Sequence, residues 1–130
     1  MGKIKIIVVD DEAIVLDSCR RVLEAEGFEV FLAASVGEAI RVIEGQAFST
    51  PLLRLLLLDV KMPVHDGMHL LKHVNEQWPG LPVIVMSGYP TTETLKVAKD
   101  LGAVAFIAKP FTPDELLEAV KAVIQEGERH

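Results

Sequence analysis

The sequence has one cysteine, no excess of positive charge and no long apolar run. A single cysteine excludes a disulfide within the chain and suits a reducing compartment. With 19 acidic and 13 basic residues, the net charge of -6 gives no electrostatic attraction to nucleic acid or to an anionic membrane. No apolar run approaches the ~20 residues of a membrane-spanning helix. We therefore expect a cytoplasmic protein without nucleic-acid or membrane partners.

The amino terminus lacks the features of a secretory signal. Three consecutive acids, Asp10, Asp11 and Glu12, interrupt its apolar run, and no small-residue cleavage site follows. A length of 130 residues fits one domain with a single core, which we expect over residues 1–130 with its core at about 4–125. The single cysteine, Cys19, falls in an apolar helical stripe, and we interpret it as a packing residue.

Short apolar runs alternate with amphipathic stretches five times along the chain. Predicted strands cover residues 4–9, 28–33, 52–58, 82–86 and 104–108, and a predicted helix follows each of them. Strictly alternating units with nearly continuous apolar strands indicate an α/β fold with a parallel sheet between helices. We predict a doubly wound five-stranded sheet in the flavodoxin-like order 2-1-3-4-5, with helices on both faces.

Several polar and glycine residues predict where the helices begin and end. Gly27 and Gly102 are expected to terminate the first and fourth helices, and Gly45 the second. Ser35 is expected to cap the start of the second helix, and Thr112, followed by Pro113, that of the fifth. The third strand is entirely apolar except for one arginine, Arg54.

Reactive side chains follow the predicted strands at one edge of the sheet. Asp10 and Asp11 follow strand 1, and Asp59, Ser87 and Lys109 follow strands 3, 4 and 5. In the predicted order strands 1 and 3 are neighbours, so three carboxylates converge where such sheets bind ligands. Converging carboxylates suit a hard cation such as Mg²⁺. Asp59 is then available as a nucleophile toward phosphorus, with Lys109 and Ser87 placed to hold phosphoryl oxygens.

Each of these residues also has a purely structural interpretation. A lone aspartate at a strand end is more often a helix cap, a lone lysine is usually solvated, and a serine before glycine can simply begin a turn. The whole set at one edge of the sheet carries the functional interpretation, rather than any single member.

The motifs "VVDDE", "LLDVKMPVHDG", "VIVMSG" and "AFIAKPF" together resemble the receiver domain of two-component response regulators. The resemblance spans Lys5 to about Gln125. It implies phosphorelay signalling by a phosphoprotein that accepts its phosphoryl group from a phosphohistidine on a sensor kinase or a phosphotransfer protein. It also implies control of an output domain or target protein. Such a protein catalyses only its own phosphorylation and dephosphorylation and is not an enzyme in the ordinary sense.

The resemblance also implies a role for each matching residue. Asp59 would be the phosphoacceptor and a magnesium ligand, together with Asp10, Asp11 and the backbone carbonyl of Lys61. Ser87 would turn toward the phosphoryl group, and Phe106 would be the aromatic switch residue. Lys109 matches the lysine of a Lys-Pro pair whose peptide bond is usually cis. Serine and phenylalanine replace the commoner threonine and the tyrosine at the two switch positions.

Two other functions remain as alternatives. A haloacid-dehalogenase-type phosphohydrolase also uses an aspartate and magnesium, but it needs a second aspartate at the position of Lys61. A pseudo-receiver, a protein-protein interaction module that is not phosphorylated, usually lacks part of the acidic and lysine set.

His65, His69 and His73 are spaced by four residues, which is metal-ligand spacing, but Leu70, Leu71 and Val74 define the buried face of that helix. We therefore interpret the histidines as solvated.

Overall fold

A computed structural model describes residues 3–49, 53–60, 66–88 and 90–128. Five strands alternate with five helices, in agreement with the sequence prediction. The strands are β1 (Lys5–Val9), β2 (Glu29–Ala33), β3 (Leu53–Asp59), β4 (Val83–Ser87) and β5 (Ala105–Ala108). The helices are α1 (Ala13–Ala25), α2 (Val36–Ser49), α3 (Asp66–Gln77), α4 (Thr92–Asp100) and α5 (Pro113–Glu128).

The strands form one parallel sheet in the order β2-β1-β3-β4-β5, as predicted. The leucine run of β3 is explained by helices on both faces of the sheet. Leu55 and Leu57 pack into the cluster that α1 and α5 cover. Leu56 and Leu58 pack into the opposite cluster, which α2, α3 and α4 cover. A strand buried on both faces needs apolar residues at every position, so it lacks the alternation of a half-exposed strand.

Most of the predicted helix ends are confirmed. Gly27 and Gly102 have positive φ angles of 94° and 108° after α1 and α4, a conformation that glycine adopts without steric penalty. The Ser35 Oγ accepts the backbone N–H of Glu38 at 3.2 Å, and the Thr112 Oγ1 accepts that of Glu115 at 3.1 Å. These contacts satisfy amides in the first turns of α2 and α5.

Several boundaries differ from the prediction, and each strand begins one residue later than expected. The second helix does not end at Gly45 but continues to Ser49, because one glycine lowers helix propensity without blocking the hydrogen-bond pattern. β3 and β4 each extend one residue further than expected, so that Asp59 and Ser87 belong to the strands themselves. Within the described ranges, none of the helices has both the length and the apolarity needed to cross a bilayer.

Candidate functional site

The carboxyl ends of β1, β3, β4 and β5 bring the predicted residues to one edge of the sheet. Val9 at the end of β1 pairs with Leu58, so Asp10 and Asp59 follow neighbouring positions on adjacent strands. On the other side of β3, the last paired residue of β4 is Ser87, which lies opposite Ala108 of β5. Lys109 comes next and donates its backbone N–H to the carbonyl of Ser87 at 2.8 Å.

The Lys109 ammonium lies between two buried carboxylates. Its Nζ is 2.7 Å from Asp10 Oδ2 and 2.8 Å from Asp59 Oδ1. The side chains of Asp10 and Asp59 are 0% and 6% exposed, and that of Lys109 is 15% exposed. A third carboxylate, Glu12 Oε1, is 3.4 Å from the same nitrogen but is half exposed. The Lys109-Pro110 peptide bond is cis, as the resemblance implied.

These contacts decide the charge state of Lys109. Burial by itself lowers the pKa of a lysine, because it removes water from the ammonium. Hydrogen bonds to Asp10 and Asp59, together with their negative charges, outweigh that effect and raise the Lys109 pKa above its ordinary 10.5. Lys109 is therefore a permanent cation at this edge of the sheet, and its proton is held too tightly for acid–base chemistry near neutral pH.

An acidic cluster lies beside the lysine. Asp10, Asp11 and Glu12 each offer a carboxylate oxygen, and these oxygens lie within 4.8 Å of one another. The buried Asp10 carboxylate is held in place by the backbone N–H of Glu12, which donates to Oδ1 at 2.8 Å. Hard oxygen donors of this kind fit Mg²⁺.

Glu12 is the residue of the site that sequence reasoning did not assign. Its side chain contacts Lys109 and shares the acidic cluster, whereas from the sequence alone it is only the last member of an acidic run. The signal was its position directly after Asp11 at a strand end, where a short loop keeps consecutive side chains together. Asp59 contacts Lys109 and is outside this group of three.

The remaining predicted residues lie on β4, on β5 or outside the described ranges. Ser87 is fully buried at the end of β4. Phe106 is half buried, lies opposite Val85 and packs against the cluster covered by α2, α3 and α4. Lys61, whose carbonyl was predicted to bind the metal, lies outside the described residues.

Cys19 is buried beneath the site, which confirms the packing interpretation. The pKa of its thiol is raised from 9.0 to about 11, first by burial and then by the nearby Asp10 carboxylate, while the Lys109 ammonium opposes the shift. A thiol in this state is protonated at neutral pH and is a poor nucleophile.

The histidines of α3 do not form a site in the described part of the chain. His69 is exposed, whereas His73 is half buried and meets the Trp78 ring edge-on at 5.6 Å between centroids. The solvated interpretation therefore holds for His69 and only in part for His73. His65 lies outside the described residues.

Comparison with known proteins gives consistent matches. The model of the response regulator receiver domain family matches residues 6–121. A solved receiver domain protein from Methanospirillum hungatei is 36% identical, with a TM-score of 0.87 over 99% of this chain and 98% of its own. Sporulation initiation phosphotransferase F of Bacillus subtilis is 33% identical over 90% of both chains.

Other relatives are much longer proteins. The hydrogenase transcriptional regulatory protein HoxA of Bradyrhizobium diazoefficiens is 36% identical over 92% of this chain, which spans only 24% of that protein. The HoxA protein of Cupriavidus necator is 34% identical, and the chain spans 26% of it. The chain thus corresponds to about a quarter of the length of these regulators.

Proposed function

This chain belongs to the response regulator receiver domain family of two-component systems, and from its site we propose that Asp59 is the phosphoryl acceptor. The observation that carries the proposal is the Lys109 ammonium, 2.8 Å from Asp59 Oδ1 and 2.7 Å from Asp10 Oδ2. An ammonium in that position neutralises charge where phosphoryl oxygens would gather. We propose residues 4–125 as the core of the receiver.

The reaction that this geometry supports is an in-line phosphoryl transfer. A carboxylate oxygen of Asp59 forms a bond to phosphorus while the bond from phosphorus to the donor's imidazole nitrogen breaks. The imidazole leaves with the electron pair of that bond, and an acyl phosphate remains on Asp59. Lys109 pairs with a phosphoryl oxygen in place of the carboxylate oxygen that it contacts in the unphosphorylated state.

Asp10, Asp11, Glu12 and Asp59 make up the acidic edge of the sheet, and their oxygen atoms fit a magnesium ion. As the family resemblance implies, Asp10, Asp11, Asp59 and the carbonyl of Lys61 would hold it. Glu12, whose carboxylate lies close to those of Asp10 and Asp11, would add negative charge. A bound Mg²⁺ would supply positive charge that neutralises the phosphoryl oxygens during the transfer.

The response to phosphorylation is assigned to two side chains. Ser87 lies at the adjacent strand end, and we propose that its hydroxyl turns toward the new phosphoryl group. Phe106 follows on the neighbouring strand as the aromatic residue whose position changes with it. Ser87 is fully buried and Phe106 half buried, so such a change would alter packing rather than surface polarity alone.

The partners follow from the same chemistry. The donor is a phosphohistidine of a sensor kinase or of a histidine phosphotransfer protein, and the phosphorylated state controls an output domain or a separate target. The charge of -6 argues against direct binding of this domain to nucleic acid or membranes. A cytoplasmic location and the absence of turnover on other substrates are part of the proposal.

The two alternatives predict different sites. A pseudo-receiver requires no lysine placed against an aspartate, whereas here Lys109 bridges two buried carboxylates. A haloacid-dehalogenase-type hydrolase requires a general acid two residues after its nucleophile, and that residue here is lysine.

Intact-mass measurement after incubation with acetyl phosphate separates these functions. We expect one added phosphoryl group with magnesium, none in chelator and none in Asp59→Asn. Asp114→Asn, which changes an exposed aspartate in the first turn of α5, is the matched control and should be labelled like the wild type. Full labelling in chelator, or labelling of Asp59→Asn, would contradict the assignment. Sustained release of phosphate from small phosphomonoesters would instead favour the hydrolase.

A further inference from the structure

A cavity of about 590 Å³ lies at the amino ends of the strands, at the edge opposite to Asp59 and Lys109. The turns that precede β4 and β5 form part of its wall, and the last turns of α3 and α5 close its sides. Its volume falls within the ~300–1,000 Å³ typical of small-molecule sites. The residues that decide its chemistry are Arg54, Asn75, Leu81, Val104, Ile124 and Glu126.

Arg54 occupies an irregular position in the sheet. Lys5 of β1 pairs with Leu53 and the next residue, Ile6, pairs with Leu55, so Arg54 is an extra residue in β3. Bulges are rare in parallel pairs and change the direction in which a side chain points. Arg54, which is followed in β3 by four leucines, is therefore the extra residue at this register shift, and it lines the cavity.

The Arg54 side chain is half buried. Among the residues that the structure describes, no carboxylate forms an ion pair with it and no hydrogen bond involves its guanidinium. A partly desolvated cation without a partner is unfavourable unless an anion joins it. A guanidinium presents two parallel N–H groups, which match the two oxygens of a carboxylate.

The rest of the wall restricts the anion further. Leu81, Val104 and Ile124 are apolar, and Val104 is 57% exposed at the opening of the cavity. Glu126 adds a negative charge to the lining, and the whole chain carries -6, so a multiply charged anion would be repelled. From these features we propose that the cavity binds a small monocarboxylate with an apolar body, held by Arg54. This site is separate from phosphoryl transfer.

Titration with hexanoate, followed by amide chemical shifts of the isotope-labelled full chain in chelator, tests this proposal. Without magnesium or a phosphodonor, the result does not depend on the function proposed for Asp59. We expect saturable shifts at Leu81, Val104 and Ile124. Hexanol and hexylammonium have the same apolar body without the negative charge, and both should bind at least about tenfold more weakly, on the scale of a charge-assisted hydrogen bond.

Variants then assign the binding to the guanidinium. Arg54→Gln should weaken hexanoate binding by about tenfold or more, and Arg54→Lys by less, because it keeps the charge and loses the paired N–H groups. Arg41→Gln, at an exposed position on α2, is the matched control and should stay within about twofold of the wild type. Non-saturable shifts, shifts centred on Asp10 and Asp59, or equal affinity for hexanol would each overturn the proposal. The hexanol comparison uses only wild-type protein, so it applies even where an Arg54 variant fails to fold.

Discussion

Replacing Lys109 with methionine tests how the acidic edge is held together. Methionine keeps the length and apolar stem of the side chain and removes the ammonium. Asp10 and Asp59, whose side chains are 0% and 6% exposed, then lose the cation that contacts them at 2.7 and 2.8 Å. Two carboxylates that have lost their shared cation then remain in a site with little water, so the folded state is destabilised.

The size of the effect follows from these contacts. Removing one partner of a buried ion pair costs about 3–5 kcal/mol, and the 3.4 Å contact with the half-exposed Glu12 adds at most about 1 kcal/mol. Because the carboxylates lie at the sheet edge, where some water can enter, we expect the lower end of that range, about 3 kcal/mol. For a domain of this length, that lowers the melting temperature by about 10 °C.

Thermal unfolding in chelator at neutral pH measures this loss, and Lys121→Met is the matched control. Lys121 Nζ also contacts a carboxylate, Glu26 Oε2, at 2.8 Å, but the two side chains are 48% and 36% exposed, so its loss should cost less than about 1 kcal/mol. Asp59→Asn in the Lys109→Met background should recover stability, because one repelling charge is removed. Equal melting temperatures for Lys109→Met and Lys121→Met would refute the reasoning.

The pH dependence supplies a second test of the same pair. The folded-state pKa of Lys109 lies above its ordinary 10.5, so the contribution of this group to stability is complete below pH 10.5. It is lost as pH rises through the folded pKa. The stability difference between wild type and Lys109→Met should therefore be constant between about pH 7 and pH 9 and should narrow only above pH 10.5. A difference that disappears near neutral pH would contradict the charge assignment.

Three further predictions concern other residues. The Cys19 pKa is about 11 in the folded state and 9.0 in the unfolded chain, so the unfolded chain loses the thiol proton first as pH rises. The free energy of unfolding should therefore fall by about 2–3 kcal/mol between pH 9 and pH 11, and Cys19→Ala should remove this decrease in denaturant titrations. Gly102→Ala should destabilise the fold by more than about 1 kcal/mol, because φ is 108° and the new Cβ would lie 2.5 Å from a side chain of α3. Gly45→Ala is the control: this glycine lies in α2 with open space around it, so the substitution should stabilise the fold by about 0.5–1 kcal/mol in the same melting assay. Lys61 and Tyr89, which lie outside the described residues, are bulky and come two residues after Asp59 and Ser87. The resemblance to receiver domains implies that these positions control water access to the phosphoryl group, so alanine at either should accelerate its loss after the donor is removed.

Sequence reasoning predicted the strand order and the carboxyl-end placement of the site because both follow from one repeating pattern. Five apolar runs, each followed by a helical stripe, restrict the topology, and a parallel sheet places every strand end at one edge. It failed for Gly45, where the tertiary context extends a helix through a residue of low propensity. It also had no means of locating the bulge at Arg54, because the register of β1 against β3 depends on packing of both sheet faces rather than on either strand alone.

The charges of the acidic edge were also only partly predictable from the sequence. From the sequence, crowded carboxylates at strand ends require a cation, and the chemistry of oxygen donors points to magnesium. The structure adds a cation from the protein itself, since Lys109 contacts both buried aspartates. In the metal-free protein, Lys109 thus neutralises part of the negative charge of these aspartates. Asp59→Asn removes a repelling charge but also one partner of Lys109, and these effects on the free energy of unfolding oppose each other. The structure therefore predicts a smaller stability change for this substitution than carboxylate repulsion alone would give.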